Sequence, residues 1–295
     1  MKEFDRFHPL VNAAYFLFAV VYGCLFLHPA AILLLLAASF SFLFALKGAK
    51  YAAKRLLLSI PAFFLMAAIN PLFNHDGVTI LCYLPSKNPL TAESILYGLC
   101  FSGMLIGVLT LFSCFYEIMT SDKMLYLTGR VFPTLSLILS MSLRFVPELS
   151  ARVKRTANAQ KCIGRDTSEG NMVRRAKNAL AILSIVVTYC LENAVDIADS
   201  MRARGYGLSG RTSFSIFVLT KRDRLSLTFL LLSAALTAAG TVLGYFSFTF
   251  FPSIKTAAFS PLTVLFYIVY GLFLFFPSFA ELLGVIRWRF IRSET

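Results

Sequence analysis

The sequence lacks the residue patterns that mark most metal centres and ATP-binding sites. Its six cysteines are scattered, without a CxxC pair or a nearby histidine, so neither metal nor redox chemistry is expected. The phosphate-binding pattern G-x-x-x-x-G-K-[ST] occurs nowhere, so the chain is not expected to hydrolyse ATP itself. No cleavable signal is predicted, because the first apolar run continues into more hydrophobic sequence. We therefore expect no cofactor and no bound metal.

Polar sequence is also scarce, and this scarcity indicates the fold class. Hydrophobic residues fill 58% of the 295 positions, and 30 of them are Phe. A soluble domain is only about half apolar. Several runs approach the length of about 20 residues that crosses a hydrocarbon core. We predict an all-α polytopic membrane protein with about six transmembrane helices plus long cytoplasmic helices. The predicted spans are residues 10–27, 30–46, 56–73, 94–119, 225–251 and 262–283.

Acidic residues are few, and the positive charge is unevenly distributed. The formal net charge is +13, and residues 144–224 carry 15 Lys/Arg against 7 Asp/Glu. This segment and the basic clusters at residues 47–55 and 287–292 fall on one side of a six-span topology. The positive-inside tendency places that side, and both termini, in the cytoplasm. Anionic headgroups or an acidic protein groove are candidate partners, whereas no nucleic-acid recognition fold is visible.

The basic segment between the fourth and fifth spans is predicted to form two long helices. The stretch 144–162 has no Gly, and its only proline, Pro147, would lie in the first turn. The stretch 172–204 has neither Gly nor Pro, and Gly164 and Gly205 follow the two stretches as helix stops. Two apolar runs of about 13 residues, 131–143 and 179–191, are too short to span and either pack internally or bind a partner. The predicted regions are 1–130, 131–224 and 225–295.

The end of the second helix resembles a known signature. Ala203-Arg204-Gly205 is similar to the second Ala-Arg-Gly motif of the transmembrane T components of energy-coupling factor (ECF) transporters. Arg202 precedes it in the same turn, where a cation also complements the helix dipole and Asp199 is three residues away. Five other stretches carry the resemblance: Phe7 to Asn12, Leu135 to Leu137, Ser142 to Leu149 (with Arg144 and Pro147), Ala157 to Gln160, and Arg211-Thr212.

This resemblance implies a plasma-membrane subunit without catalytic residues. Such a T component lies between two ABC-type ATPases and a small substrate-binding membrane subunit, and serves uptake of a vitamin or a transition-metal ion. Two coupling helices cross in an X, and their arginine-bearing ends dock into the ATPases. Arg204 would be the docking arginine of the second helix. The first helix would end at Lys161-Cys162-Ile163-Gly164-Arg165, where Ile163 replaces the usual Arg and Lys161 or Arg165 supplies the charge.

Two other functions are less well supported by the sequence. Glu192, Asp196 and Asp199 share one helical face, as the Mg²⁺-binding carboxylates of membrane prenyltransferases do, but no second acidic cluster repeats the spacing. A stand-alone secondary transporter would bury ionisable residues within its spans, whereas Glu117 and Glu281 lie near span ends. No inverted repeat is evident. The sequence does not identify the substrate, nor whether the two ATPases are identical.

Overall fold

The computed structural model describes residues 3–74, 76–83, 89–168, 170–208, 217–256 and 260–293, without the side chains of Arg130 and residues 287–293. The chain divides into two compact units. The first unit contains Met1–Met124 and Phe217–Thr295, and the second contains Leu125–Ile216. Helices dominate both units, which confirms the predicted all-α class.

The first unit is a helical bundle with two small hairpins. A 3₁₀ turn at Phe4–Arg6 precedes helices α1 (Pro9–Leu25), α2 (Pro29–Lys47), α3 (Ala49–Phe73), α4 (Ala92–Ile118), α8 (Lys221–Val242) and α9 (Pro261–Ser293). The strand pairs β1–β2 (Ile80–Tyr83 and Pro89–Thr91) and β3–β4 (Phe248–Thr249 and Lys255–Thr256) are antiparallel. Each hairpin follows the end of a helix, β1–β2 after α3 and β3–β4 after α8. Each forms a sheet of only two strands.

Close packing around small residues holds the bundle together. Added Cβ atoms would lie 2.7 Å from the Ala67 carbonyl oxygen at Gly98, and 2.9 Å from side-chain atoms of α2 at both Gly103 and Gly107. These glycines therefore let α4 pack closely against α3 and α2. The hydroxyl of Tyr15 donates to the carbonyl of Leu274 in α9 at 2.9 Å, which adds a polar contact inside the aromatic core.

The second unit contains two long helices. The chain reaches it through α5 (Ser121–Val131), and then forms α6 (Pro133–Cys162) and α7 (Met172–Ala203). Ile182 and Val186 are the buried residues of α7 among those described. The guanidinium carbon of Arg152 in α6 lies 3.4 Å from the ring centroid of Tyr189 in α7. This cation–π contact and the buried pair join the two helices.

The helix bounds correct three expectations. Helix α6 begins at Pro133, so Pro147 lies in mid-helix rather than in the first turn. The apolar run before Arg144 is helical too, because hydrophobicity does not end a helix. Helix α3 begins at Ala49, seven residues before the predicted span. Helix α8 ends at Val242 and not near residue 251, since Gly244 turns the backbone to a φ of +81°.

Six helices in the described part of the chain are long and apolar enough to cross a membrane, and this confirms a polytopic membrane protein. They are α2, α3, α4, α7, α8 and Pro261–Ile286 of α9. Their identity differs from the predicted set, because α1 has only 17 residues. Helix α7 qualifies because its apolar run lies within a helix of 32 residues with a window of mean hydropathy 1.7.

Candidate docking site at two helix ends

The end of α7 is held by two backbone hydrogen bonds. The N–H of Gly205 donates to the carbonyl of Arg202 at 3.0 Å, and the N–H of Tyr206 donates to that of Met201 at 3.0 Å. Gly205 has a φ of +80°, a conformation that Gly adopts without a Cβ penalty. This is the Schellman arrangement, and it leaves Arg204 as the last residue before the reversal. The Arg204 side chain is exposed.

The end of α6 has the same construction. The N–H of Gly164 donates to the carbonyl of Lys161 at 3.0 Å, and the N–H of Arg165 donates to that of Gln160 at 3.0 Å. Gly164 has a φ of +76°. The sequence therefore predicted both helix stops correctly, since each glycine supplies the left-handed residue that the motif needs.

The shared motif establishes a residue-by-residue equivalence between the two ends. Ile163 occupies the position of Arg204, Cys162 that of Ala203, and Lys161 that of Arg202. The equivalence follows because each pair has the same place relative to the glycine. Ile163 is 65% exposed, which is a high value for a large apolar residue. Exposed apolar side chains of this kind mark surfaces that a partner buries on binding.

Lys161 is already engaged within the first end. Its Nζ lies 3.0 Å from Oδ2 of Asp166. The N–H of Ser168 also donates to Oδ1 of Asp166 at 3.0 Å. The pKa of the Asp166 carboxyl is lowered well below its usual range, first by the hydrogen bonds from Ser168 and then by the Lys161 ammonium. Lys161 and Arg165 are the two basic residues expected to supply the charge that Ile163 lacks. Lys161 is paired with Asp166, whereas Arg165 is exposed and forms no ion pair within residues 125–168 and 170–208.

The loop after α6 is tied to the start of α7. The Asn178 amide donates to the carbonyl of Asp166 at 2.7 Å, and Nε of Arg175 donates to the carbonyl of Thr167 at 2.8 Å. Sequence reasoning missed this anchoring of the first end and the role of Asp166. A short-range signal existed, because Asp166 precedes Ser168 by two residues in a pattern typical of an Asx turn.

Five further residues are predicted to support the docking side chains, and only some of them belong to the two turns. Arg144 and Pro147 are exposed in the middle of α6. The side-chain oxygen of Gln160 is buried and has no hydrogen-bond partner in the described part of the chain. At the other end, Nη1 of Arg202 lies 3.8 Å from Oδ1 of Asp199, which agrees with the predicted pairing across one helical turn. Arg211 lies outside the described residues.

The acidic face of α7 does not gather a metal-binding set. Glu192, Asp196 and Asp199 are all exposed. Among the described residues, no group of three or more His, Cys, Asp or Glu side chains is arranged to hold a metal ion.

The same Schellman turn also ends α8, where the N–H groups of Gly244 and Tyr245 donate to the carbonyls of Thr241 and Gly240 and Leu243 is exposed before the glycine. The ends of α6 and α7 differ from it because they terminate the two long helices of the second unit, and the end of α7 carries the Ala-Arg-Gly motif.

Comparison with known proteins decides the family. The model of the cobalt transport protein family CbiQ matches residues 4–216, which cover the N-terminal stretch, α6 and the end of α7. The chain belongs to the CbiQ family. This assignment confirms the resemblance to ECF T components that the sequence motifs indicated.

Three curated relatives of the chain carry the same name, energy-coupling factor transporter transmembrane protein EcfT. The Lactobacillus helveticus protein is 36% identical over 103 residues, which are 35% of this chain and 37% of the relative. The Streptococcus thermophilus protein is 38% identical over 112 residues, or 38% of this chain and 40% of the relative. A longer match with the Staphylococcus aureus protein has 28% identity over 197 residues, 59% of this chain and 74% of the relative. The first two matches thus span about two fifths of those relatives.

Proposed function

We propose that this chain is the energy-coupling T component of an ECF importer. It would transmit the movement of two ABC-type ATPase subunits to one small substrate-binding membrane subunit, for uptake of a vitamin or a transition-metal ion. The observation that carries the proposal is the pair of matched helix ends, each presenting one exposed side chain at the same position of a Schellman turn. Family membership and the printed names of the relatives support the same role.

The helices behind these ends suit mechanical transmission. Helices α6 and α7 have 30 and 32 residues, so each is about 45–48 Å long at 1.5 Å per residue. Backbone hydrogen bonding without a proline makes α7 stiff along its axis, whereas Pro147 removes one such bond from the middle of α6. We propose that ATPase docking moves one end of each helix and that the far end passes the displacement on. ATP hydrolysis and substrate recognition would both reside in the partner subunits.

The two ends are proposed to dock by different chemistry. Arg204 would form a bidentate pair with a carboxylate in one ATPase groove, because a guanidinium presents parallel N–H donors. Ala203 and Gly205 beside it would allow close approach. Ile163 would enter an apolar part of the other groove, with Arg165 as the nearby cation.

Exposed apolar side chains support a partner or bilayer surface on the same helices. Leu139, Leu143 and Val146 of α6 and Leu183 and Leu191 of α7 are each more than two-fifths exposed. Exposed apolar patches of this kind mark protein or membrane contacts. We propose that this surface faces the substrate-binding subunit and the lipid bilayer. The protein would lie in the plasma membrane with both termini in the cytoplasm.

The proposal is tested by purifying the tagged protein from detergent-solubilised membranes and identifying the co-purifying proteins by mass spectrometry. We expect two ATPase subunits and a small hydrophobic protein. Arg204→Glu should insert normally but lose most of the ATPase. Arg202→Glu is the matched control, since it makes the same charge change in the same turn and should lose much less. Recovery of the chain alone, or unchanged ATPase recovery with Arg204→Glu, would contradict the proposal.

A further inference from the structure

The N-terminal segment of residues 3–12 touches both places where the chain passes between the two units. The chain leaves the first unit after Met124 and returns to it at Phe217. Lys123 lies directly before the first crossing, and Asp223 lies shortly after the second. Both side chains bond to the N-terminal segment, and all of these groups belong to the first unit.

The Lys123 ammonium donates all three of its hydrogen bonds to this segment. Its Nζ lies 2.6 Å from the carbonyl oxygen of Asp5 and 2.8 Å from the Asp5 carboxylate. The Asn12 side-chain amide is assigned in the orientation in which both its oxygen and its nitrogen form hydrogen bonds. Its oxygen then accepts the third bond from Nζ of Lys123 at 3.1 Å, and its nitrogen donates to the Phe4 carbonyl at 3.2 Å. The Lys123 side chain is 6% exposed, and an ammonium has three donors. A buried ammonium with three partners has a strongly defined position.

Asp223 connects the same segment to the returning chain. Its Oδ1 accepts the backbone N–H of His8 at 3.4 Å. Its Oδ2 accepts the backbone N–H of Thr220 at 3.0 Å and the Thr220 hydroxyl at 2.6 Å, which completes the capping box that begins α8. The Phe217 ring, at the point of return, lies edge-on to the His8 ring with 6.5 Å between centroids. Asp223 is 3% exposed.

The segment is itself anchored to the bundle. The two carboxylate oxygens of Glu281 in α9 accept the backbone N–H groups of Glu3 and Phe4, each at 3.0 Å. Phe4 is fully buried and its ring packs on five other aromatic rings, among them those of Tyr15 and Phe42. The guanidinium of Arg222 lies 4.3 Å from the ring centroid of Phe7. The contacts of Glu281 and Phe4 therefore give the segment an attachment that involves neither crossing, whereas Arg222 belongs to the returning chain.

We propose that residues 3–12 form a clamp that holds the outgoing and returning chain at fixed positions, with Lys123 and Asp223 as its positioning residues. This inference rests on the proposed coupling function. A movement of α6 and α7 is transmitted to the first unit only if the outgoing and returning segments of the chain keep their positions. Buried charged bonds suit this task, because they define distance and direction, whereas an apolar contact can slide.

The first test uses amide hydrogen exchange of the full chain in detergent. Lys123→Met removes the ammonium, and exchange should rise at least about tenfold at residues 4–8 and 121–124, and also rise at 220–224. Asp223→Asn should reciprocally raise exchange at 121–124, since both crossings share one clamp. Gly284→Ala tests the anchor, because its Cβ would overlap the Glu3 side chain. We expect it to loosen both crossings.

Lys47→Met is the matched control. Lys47 also forms an ion pair at 2.8 Å in the first unit, but its partner is Glu117 and not a residue of the N-terminal segment. It should leave the exchange of both crossings unchanged. Loosening confined to the mutated crossing, or equal loosening with Lys47→Met, would overturn the clamp.

The second test uses the purified complex and the non-hydrolysable nucleotide AMP-PNP. In the wild type, nucleotide should change exchange in both units. In Lys123→Met and Asp223→Asn, ATPase subunits should remain bound while the nucleotide response of the first unit falls at least about fivefold. An undiminished response would contradict a positioning role. If no ATPase co-purifies, the coupling function fails, yet the reciprocal exchange in the isolated chain still decides whether the clamp exists.

Discussion

The ends of α6 and α7 share one backbone motif and differ in the side chain that it presents. Both turn at a glycine with a φ near +80°, and both close with the same two hydrogen bonds. One presents the exposed cation Arg204 and the other the exposed aliphatic Ile163. The backbone therefore sets where a docking side chain stands, while the residue at that one position sets what kind of groove can receive it. Two unlike grooves, and so two unlike ATPase surfaces, would match this difference.

Exchanging the side chains at positions 204 and 163 should have the largest effect on ATPase recovery. Arg204→Ile is expected to lower ATPase recovery about ten- to a hundredfold, since a hydrogen bond to a charged group contributes about 1.5–3 kcal/mol. Adding Ile163→Arg should not restore recovery, because the groove that receives the first end is proposed to be apolar. The measurement is quantitative mass spectrometry of the co-purified subunits. Full recovery in the double variant would mean that the two ends are interchangeable.

Alanine at the two glycines should show how far the backbones are alike. Left-handed backbone costs about 1–2 kcal/mol at a non-glycine residue, so Gly164→Ala and Gly205→Ala should both speed amide exchange at the turn. The effect should be larger at Gly205, where an added Cβ lies 3.1 Å from Cδ1 of Leu208, whereas Gly164 faces open space. The N–H groups of Arg165 and Tyr206 report the two turns. Absent effects would argue against the Schellman geometry, and equal effects would argue against crowding of the Gly205 site by Leu208.

The ion pair of the first end gives a pH-dependent difference between the two ends. The lowered pKa of Asp166 means that its contacts contribute stability above the ordinary pKa of about 3.9 and lose it only as pH falls through the lower folded value. An NMR titration should therefore find Asp166 still ionised at pH 4. Lys161→Met should raise its pKa only partly, because the Ser168 N–H still donates to the carboxylate. Titration in the ordinary range would contradict this local structure.

The smallest expected effect is at the pair that supports the second end. Asp199 and Arg202 side chains are 69% and 81% exposed, and 3.8 Å separates their charged atoms. An exposed pair of this kind contributes about 0–1 kcal/mol. Asp199→Asn should leave ATPase recovery unchanged in the purification assay. A large loss would show that the acidic face of α7 takes part in docking.

Local sequence predicted the two helix ends well because their chemistry is local. A glycine after an uninterrupted helical stretch is enough to indicate the stop, and the motif around Arg204 is contiguous. The failures at Pro147 and at the end of α8 have a different origin. The charged stretch alone predicts a first long helix from residue 144, whereas α6 also includes the apolar run before it. Hydrophobicity reports the surroundings of a helix, not its boundaries.

Residues that act across long sequence separations were not predictable. Lys123 and Asp5 are 118 positions apart, and Glu281 and Glu3 are 278 apart. Each is an ordinary charged residue in its local context, and only the folded chain brings the members of each pair together. The capping residue Asp223 had a local signal, since it follows Thr220 by three positions, but its bond to His8 had none.

The amino-acid sequence by itself determined the membrane class, the two long helices and their glycine stops, because apolar run length and backbone freedom are properties of short segments. The structure alone decided that Lys161 is paired with Asp166 and that the N-terminal segment meets both chain crossings. These two results depend on hydrogen bonds between residues brought together by folding. Such contacts leave no periodic trace along the chain.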